Sequence, residues 1–319
     1  MLAELTLKKK VDRFLRRKAP YLFISPFFAF FLVFGAFPIF FALYLSFHDW
    51  NGIATSPMVF VGWENYWYTL TDPLFWQALK NTLLLTVESS VPQHLLGLFF
   101  AFIINLGFVK FKNFFKATLF LPYITSTVAV SMVFAILFGY PYGFLNYLLV
   151  SLNKLPFFQT VFNWWRLDPP LKWLGTTSLM LPSVSTQIIW RWTGWNTILY
   201  LAGLQTIPQE LYEAARVDGA KWYQVFFKIT LPSLKPVLQF AITMSVIGGL
   251  QIFNEPFIMF GKNGGTGRGG YTLAMYLYQT GFEWGYFGSA AAISYLVFVL
   301  IFVFSFISRR LLRSEEGVS

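Results

Sequence analysis

Residues 21–47 read YLFISPFFAFFLVFGAFPIFFALYLSF and contain no charged side chain. A hydrocarbon core of about 30 Å is crossed by a helix of roughly 20 apolar residues, so this stretch is long enough to span a membrane. Basic residues precede it, as in a signal peptide. The apolar run is too long for a signal peptide and ends without a small-residue cleavage site. We therefore expect a retained membrane anchor.

Five further stretches meet the same length criterion. The six predicted spans are residues 21–47, 81–108, 114–139, 177–204, 235–260 and 286–308. The composition agrees, since 56% of the chain is hydrophobic and only 12% is charged, against roughly 25% charged in a soluble domain. The sequence predicts an all-α membrane protein of six transmembrane helices. Residues 1–20 would be a basic extension, residues 21–308 the membrane domain and residues 309–319 a tail.

The formal net charge of +10 raises nucleic acid as a partner, but the placement of the charges favours membrane topology. Most of the 24 Lys and Arg residues lie in the N-terminal extension, in the 109–113 and 205–234 links or near the C-terminus. With six spans, these segments share one side of the membrane. The positive-inside rule then places both termini in the cytoplasm of a multi-pass inner or plasma membrane protein. We expect a lipid bilayer, and no nucleic acid, as partner.

Several kinds of chemistry are excluded or disfavoured. The chain has no cysteine, and His48 and His94 are too few for a multi-histidine metal site. There is no P-loop motif. Gly265, Gly267 and Gly270 form a chance GxGxxG that neither follows a strand nor opens a helix, so a flexible loop is the better interpretation. No nucleophile is placed beside a base. We expect no enzyme activity, no cofactor and no metal.

Residues 206–232, TIPQELYEAARVDGAKWYQVFFKITLP, interrupt the apolar chain with an ordered polar pattern. The pattern predicts two short helices. Thr206 and Gln209 are spaced as a capping box for the first helix, and Gly219 is placed to end it in a left-handed conformation. The second helix would run from about Lys221 until Pro232 stops it. From composition alone, an amphipathic loop resting on lipid headgroups explains the segment equally well.

The spacing of Glu213-Ala214-Ala215, Gly219, Ile229 and Leu231-Pro232 resembles the EAA loop of ABC importer permeases. The resemblance covers most of the chain from about residue 20. The stretches FPIFFALYLSFHDWNG (37–52), FVGWENYWYTLTDPLFWQALKNTLLLTV (60–87), WRWTGWNTILYLAGLQTIPQELYEAA (190–215) and YTLAMYLYQTGFEWGYFGSAAA (271–292) are similar to the binding-protein-dependent oligosaccharide and glycerol-phosphate permeases, such as maltose and lactose transport subunits. FNEPFIMFGKNGGTGRGG (253–270) departs from that family, which more often has a shorter turn.

The resemblance implies a division of labour. The partners would be a second, similar permease, two ATPase subunits that hydrolyse ATP, and an extracytoplasmic solute-binding protein that delivers a small-molecule sugar. The EAA segment would form a coupling helix that seats in an ATPase groove. The residues implied in coupling are Glu213, Ala214, Ala215, Asp218, Gly219, Ile229, Leu231 and Pro232.

Polar groups inside predicted spans are costly and are candidates for a transport pathway. Span 4 combines indole rings with hydrogen-bonding groups, a mixture that suits a sugar. The candidate pathway residues are Trp190, Arg191, Trp192, Trp195, Asn196, Asn254 and Glu255. Arg191 is equally well explained as a structural ion-pair partner of Glu88 or Glu255. His94 is better explained as a packed, hydrogen-bonded residue than as a proton relay.

Other transport classes remain as alternatives. Arg191 suits an anionic solute, so an importer of glycerol phosphate or another polyol stays open beside the sugar. A secondary transporter usually has inverted repeats, which the chain lacks. A membrane-embedded enzyme needs a catalytic cluster near one interface. Neither of the last two accounts for residues 206–232.

Overall fold

The computed structural model describes residues 2–106 and 109–312, which are mostly helical. The first part comprises α1 Leu2–Phe31, a π-helical turn Leu32–Ala36, α2 Phe37–Leu45, the strands β1 His48–Asp49 and β2 Val59–Phe60, α3 Glu64–Thr71, α4 Pro73–Asn105, α5 Lys112–Ile124, α6 Thr127–Leu137, α7 Phe144–Leu152 and α8 Pro156–Trp164. The second part comprises α9 Thr177–Gln205, α10 Gln209–Val217, α11 Trp222–Val225, a π-helical turn Phe226–Thr230, α12 Leu231–Ser233, α13 Lys235–Leu250, α14 Asn254–Phe260, a 3-10 turn Thr266–Arg268, α15 Leu273–Tyr278, a π-helical turn Gln279–Glu283 and α16 Phe287–Leu312.

The chain divides into two compact units. The first comprises the residues up to 69 together with 280–295, and the second comprises 70–279 with the residues from 296 onward. In the first unit, β1 and β2 pair antiparallel, with His48 opposite Phe60. The Asn65 amide donates to the carbonyls of Ser46 and His48 and accepts from the Ser289 hydroxyl. One amide thus satisfies the backbone at the hairpin and joins it to the start of α16.

The predicted spans each coincide with a helix or a helix pair. By length and hydropathy, three helical segments of the described chain are able to cross a membrane: Lys18–Leu45, Pro73–Asn105 and Phe287–Arg310. Two bent pairs bring this to five, α5 with α6 and the Trp222–Ser233 segment with α13. The helix at the fourth predicted span, α9, is long enough but does not reach the hydropathy of these five.

The position of α9 accounts for its polarity. Its residues pack against α4 and α5 and are buried over most of its length. A Cβ added at Gly194 would lie 1.6 Å from the Leu119 carbonyl oxygen, so only glycine permits this approach to α5. A helix enclosed by other helices does not need a lipid-compatible surface. Most of its polar side chains are accordingly buried inside the protein.

Two predicted spans are interrupted, which the sequence interpretation missed. Span 3 breaks at Thr125 and Ser126, where α5 and α6 meet at 93°. Span 5 breaks between Leu250 and Asn254, where α13 gives way to α14. Extended or irregular backbone at membrane depth occurs only where it is buried in protein or lines a cavity.

The helix that precedes α13 ends at Ser233, one residue beyond the predicted stop at Pro232. A 65° bend at Leu234 follows before α13 starts. Pro236 occupies the first turn of α13, where its missing N–H removes a bond to the preceding turn. Likewise, α1 is continuous through position 20, so the basic extension and the first span form one helix. Arg309 and Arg310 lie in the last turn of α16, whereas Arg313 is outside the described residues.

Positive φ angles and hydrogen bonds to α4 shape the glycine-rich loop, which the sequence predicts to be flexible. Gly264, Gly265 and Gly267 adopt positive φ angles that build its turns. The Gln77 amide of α4 donates to the Gly267 carbonyl at 2.8 Å, and the Asn81 amide donates to the carbonyls of Arg268 and Tyr271. The loop is thereby fixed to the start of α4.

Candidate functional site

A cavity of about 430 Å³ lies between α4, α5, α9, α13 and the break that precedes α14. Its wall includes five of the seven predicted pathway residues: Trp192, Trp195, Asn196, Asn254 and Glu255. Three come from α9, and two from the first turn of α14. The broken fifth span brings these two groups together.

Part of the cavity lining is aromatic. The Tyr123 ring packs against Trp192 at 5.1 Å and against Trp195 at 4.7 Å between centroids. Trp195 also lies 6.3 Å from Phe120, nearly parallel to it. Phe253 contributes a further ring from the break between α13 and α14. These rings offer flat apolar faces of the kind on which the C–H face of a pyranose or furanose ring rests.

The lining also carries amides and hydroxyls. The Asn196 amide nitrogen and the Gln93 amide oxygen are buried and have no hydrogen-bond partner among the described residues. The Gln93 nitrogen donates to the Ser245 hydroxyl at 3.3 Å. Buried amides without a partner are rare, because each costs about 1–3 kcal/mol. Both residues belong to the cavity lining, so their amides are candidates for hydrogen bonds to a solute.

The sequence interpretation missed part of this wall. Tyr123, Ser90, Ser245, Met244 and Phe240 line the cavity but were not candidates. Ser90 and Gln93 are three residues apart in α4, a helical spacing that places them near one another. That spacing was a signal that the sequence did contain. Tyr123 had none, because an aromatic residue in an apolar span resembles its neighbours.

Two predicted pathway residues lie outside the cavity wall. Trp190 is partly exposed and packs on Phe134 at 5.6 Å. Arg191 forms an ion pair with Glu255, Nη1 to Oε1 at 3.8 Å. The ion-pair alternative for Arg191 is therefore the arrangement observed, and its partner is Glu255. Glu88, the other candidate partner, accepts instead from the Ser185 hydroxyl at 3.2 Å.

His94 is a packed polar residue in this structure. Its Nδ1 lies 2.6 Å from the Tyr200 hydroxyl, across the α4–α9 contact. Within the described residues no group of three or more metal-ligating side chains is assembled.

The coupling segment, residues 206–232, forms the two helices that the sequence predicts, with a different start. Thr206 does not cap the first helix, since its hydroxyl donates to the Gly203 carbonyl of α9. Pro208 precedes α10, which begins at Gln209. The capping contact belongs to the second helix instead, where the Gln224 side chain accepts from the Lys221 N–H at 2.7 Å.

The end of α10 is as predicted. Gly219 has a φ of 70°, in the left-handed region. The Ala220 N–H bonds to the Ala215 carbonyl and the Gly219 N–H to the Arg216 carbonyl, which is the Schellman arrangement. A Cβ at position 219 would meet no atom within 4 Å. Glycine is required here by the backbone angle, since there is room for a side chain.

The predicted coupling residues divide by exposure. Glu213, Ala214, Asp218 and Pro232 are exposed, Ile229 and Leu231 are half-buried, and Ala215 is buried. The Tyr212 hydroxyl lies 3.2 Å from that of Thr230, which holds α10 against the second helix. A groove of about 390 Å³ lies beside the turn at Gly219 and is lined by residues from Asp218 to Ile229.

Apolar side chains stand beside the exposed carboxylates of the coupling segment. Val217 is 87% exposed and Trp222 is 76% exposed. Together with Glu213 they form a surface of mixed character at the turn between two helices. Such a surface is typical of a protein contact.

Membrane-length helices, a cavity lined by aromatic rings and amides, and a helical hairpin with an exposed turn are features expected of a transport permease. The residues 93–315 match the family model of the binding-protein-dependent transport system inner membrane component. The chain belongs to this family of ABC importer permeases.

Relatives match nearly the whole chain. The arabinooligosaccharides transport system permease protein AraP of Bacillus subtilis is 38% identical over 95% of this chain and 91% of its own length. The lactose transport system permease protein LacF of Rhizobium radiobacter is 33% identical over 90% and 91%. A chain in the crystal structure of a bacterial alginate ABC transporter, in complex with an alginate pentasaccharide-bound periplasmic protein, shares the fold. Its TM-score is 0.76, with 22% identity over 96% of this chain and 99% of that one.

Proposed function

We propose that this permease subunit forms part of the pathway for an uncharged di- or oligosaccharide in an ATP-driven importer. The carrying observation is the cavity, whose lining combines the rings of Tyr123, Trp192 and Trp195 with the amides of Gln93 and Asn196. A sugar presents both an apolar C–H face and a set of hydroxyl groups, so it contacts both kinds of side chain favourably. A volume of about 430 Å³ falls within the range of small-ligand sites, roughly 300–1,000 Å³.

The charged residues in and near the cavity lining favour an uncharged solute. Glu255 is the only charged residue in its wall, among the residues that the structure describes. Arg191 is engaged with Glu255 outside that wall, so it is not placed to receive an anion. This observation disfavours glycerol phosphate as the solute. The AraP and LacF relatives are named for arabinooligosaccharides and lactose, both uncharged sugars.

The coupling segment supports the remaining partners. The exposed turn at Glu213, Val217 and Gly219 is the surface through which we propose that an ATPase subunit moves this permease. A helix fixed at both ends transmits a displacement better than a loop does. ATP hydrolysis belongs to two such ATPase subunits, while a second permease completes the membrane part and an extracytoplasmic binding protein delivers the sugar.

Orientation follows from the distribution of charge. We propose that the N-terminal extension 1–20, the coupling segment and the tail 309–319 lie in the cytoplasm, because basic residues concentrate there. The segment that carries α7 and α8 would then face the exterior. Its exposed Tyr142, Trp164 and Trp165 suit the membrane interface.

Uptake by the complete reconstituted complex tests the proposal. Proteoliposomes with the second permease, the ATPase and the binding protein are given labelled arabinotriose, maltotriose, lactose, trigalacturonate or glycerol phosphate. We expect ATP-dependent uptake of at least one neutral sugar, and none without the binding protein. Uptake driven by an ion gradient without ATP would show a secondary transporter. Uptake confined to trigalacturonate or glycerol phosphate would overturn the assignment of an uncharged solute.

A further inference from the structure

Arg191 lies where the two interrupted spans meet. Its Nη2 is 3.4 Å from both the Tyr123 and the Thr125 carbonyl oxygens, at the end of α5. Its Nη1 is 3.8 Å from Glu255, in the first turn of α14. One guanidinium on the continuous helix α9 therefore contacts the break in span 3 and the break in span 5.

Each contact has an electrostatic reason. The last carbonyls of α5 have no intrahelical partner, and a helix carries partial negative charge at its C-terminal end, which a cation stabilises. A carboxylate is stabilised at a helix N-terminus, where Glu255 lies in α14. The guanidinium thus joins a negative helix end to a carboxylate. Its planar fork of donors permits this double contact, which a lysine ammonium cannot match in geometry.

The environment makes these contacts necessary. The side chains of Arg191 and Glu255 are only 15% and 9% exposed. A charge at this depth is retained only when it is paired. The Arg191 guanidinium also lies 6.0 Å from the centroid of Tyr123, whose ring contacts both indoles of the cavity wall. Arg191 therefore contacts residues of the cavity wall but does not itself line the cavity.

We propose that Arg191 is a positioning and specificity-determining residue for transport, with two separable tasks. Through the α5 carbonyls and Glu255, it fixes the two broken spans that form the cavity wall. Through its charge, it neutralises the carboxylate of Glu255 in that wall, so that the cavity admits an uncharged solute. The link to sugar transport rests on the proposed function, whereas the charge balance of the cavity does not.

The charge task is tested with a cysteine reporter. The chain has no cysteine, and Gly248 lines the cavity with open space where its Cβ would be. Gly248→Cys is introduced into the full complex, and labelling of this chain by the anionic sulfonatoethyl and the cationic trimethylammonioethyl methanethiosulfonates is followed by mass spectrometry. The measured quantity is the ratio of the anionic to the cationic rate.

The direction in which the labelling ratio changes tests the charge task of Arg191. Arg191→Gln leaves Glu255 unpaired and lowers the ratio, whereas Glu255→Gln leaves Arg191 unpaired and raises it, each by about threefold or more. The double variant returns the ratio to that of the reporter background. Glu88→Gln and Lys80→Gln are matched controls, because they remove single charges that do not line the cavity. A ratio that is unchanged, or that moves in the same direction in both single variants, would overturn the charge task.

The positioning task is tested with Arg191→Lys. This variant keeps the charge, so the labelling ratio stays near that of the background, but it loses the double contact. We expect uptake of the best neutral sugar to fall at least fivefold while the ratio is preserved. Uptake at the wild-type rate would overturn the positioning task. Labelling needs no sugar, so a wild-type complex that imports none of the sugars would refute the proposed function and leave the charge result standing.

Discussion

The coupling segment is one continuous stretch, and residues 206–232 supply every residue proposed to contact the ATPase. The cavity, in contrast, is lined by residues from several helices between Ser89 and Glu255. Glu213 and Gly219 are exposed at a turn whose form depends on neighbours in sequence. Asn196 and Glu255 line one cavity only because span 5 breaks ahead of α14. Local order thus defines the proposed surface for a partner, while long-range packing defines the proposed pathway.

The same contrast appears in two glycines. Gly219 has open space around it but a positive φ, whereas Gly194 has an ordinary helical angle but no space. A substitution at the first position strains the backbone alone. At the second position, it displaces a neighbouring helix. The predictions below test this difference, from the largest expected effect to the smallest.

Gly194→Ala should have the largest effect, because a Cβ would lie 1.6 Å from the Leu119 carbonyl oxygen. The clash is with backbone and forces α5 away from α9. We expect a loss of about 3 kcal/mol or more, seen as a lower melting temperature and a low yield of the purified complex. Gly248→Ala is the control, since a Cβ there meets nothing within 4 Å. Equal melting temperatures for the two variants would contradict the packing of α5 on α9.

Glu213→Ala should leave the bundle folded, because the side chain is exposed on α10. Loss of a charge-assisted contact to an ATPase costs about 1.5–3 kcal/mol, or roughly 10- to 100-fold in affinity. Substrate-stimulated ATP hydrolysis and uptake should therefore fall together at unchanged melting temperature. Glu210→Ala, one turn earlier on the same helix, is the matched control. If both variants behave as wild type, the coupling surface lies elsewhere.

Gly219→Val should weaken assembly through backbone strain, about 1–2 kcal/mol for an L-residue in the left-handed region. The amount of ATPase that co-purifies with this chain measures the effect. Gly219→Asn should retain more ATPase than the valine variant, since asparagine tolerates this conformation. Similar losses in both variants would indicate that the side chain obstructs a partner and that the backbone angle is not the cause.

Asn196→Ala should have the smallest effect, because the cavity offers a sugar several hydrogen bonds. We expect the KM for uptake to rise about fivefold, which corresponds to roughly 1 kcal/mol for one hydrogen bond, while basal ATP hydrolysis is retained. Thr186→Ala, an exposed position on the same helix outside the cavity wall, serves as control. An unchanged KM in Asn196→Ala would remove this residue from the pathway.

Sequence reasoning was most accurate where neighbours in the chain decide the structure. The α9 prediction of 177–204 differs by one residue from the observed helix, and the turn at Gly219 has the predicted conformation. Sequence reasoning was less accurate at Thr125 and at Gln251, where the third and fifth predicted spans break. An apolar run of sufficient length has the same composition whether it is straight or bent. Arg191 shows the same limit, since the sequence offered Glu88 and Glu255 as equal partners.

By itself, the sequence determined that the chain is a helical membrane protein, where its spans lie, and which link carries the family's EAA pattern. These features depend on hydropathy and on local backbone preferences, which are written in consecutive residues. Only the tertiary structure decided that Arg191 pairs with Glu255 and stands behind the cavity wall, and that Tyr123 joins Trp192 and Trp195 in it. Those contacts join residues far apart in the chain, and they depend on the angle at which two broken helices meet.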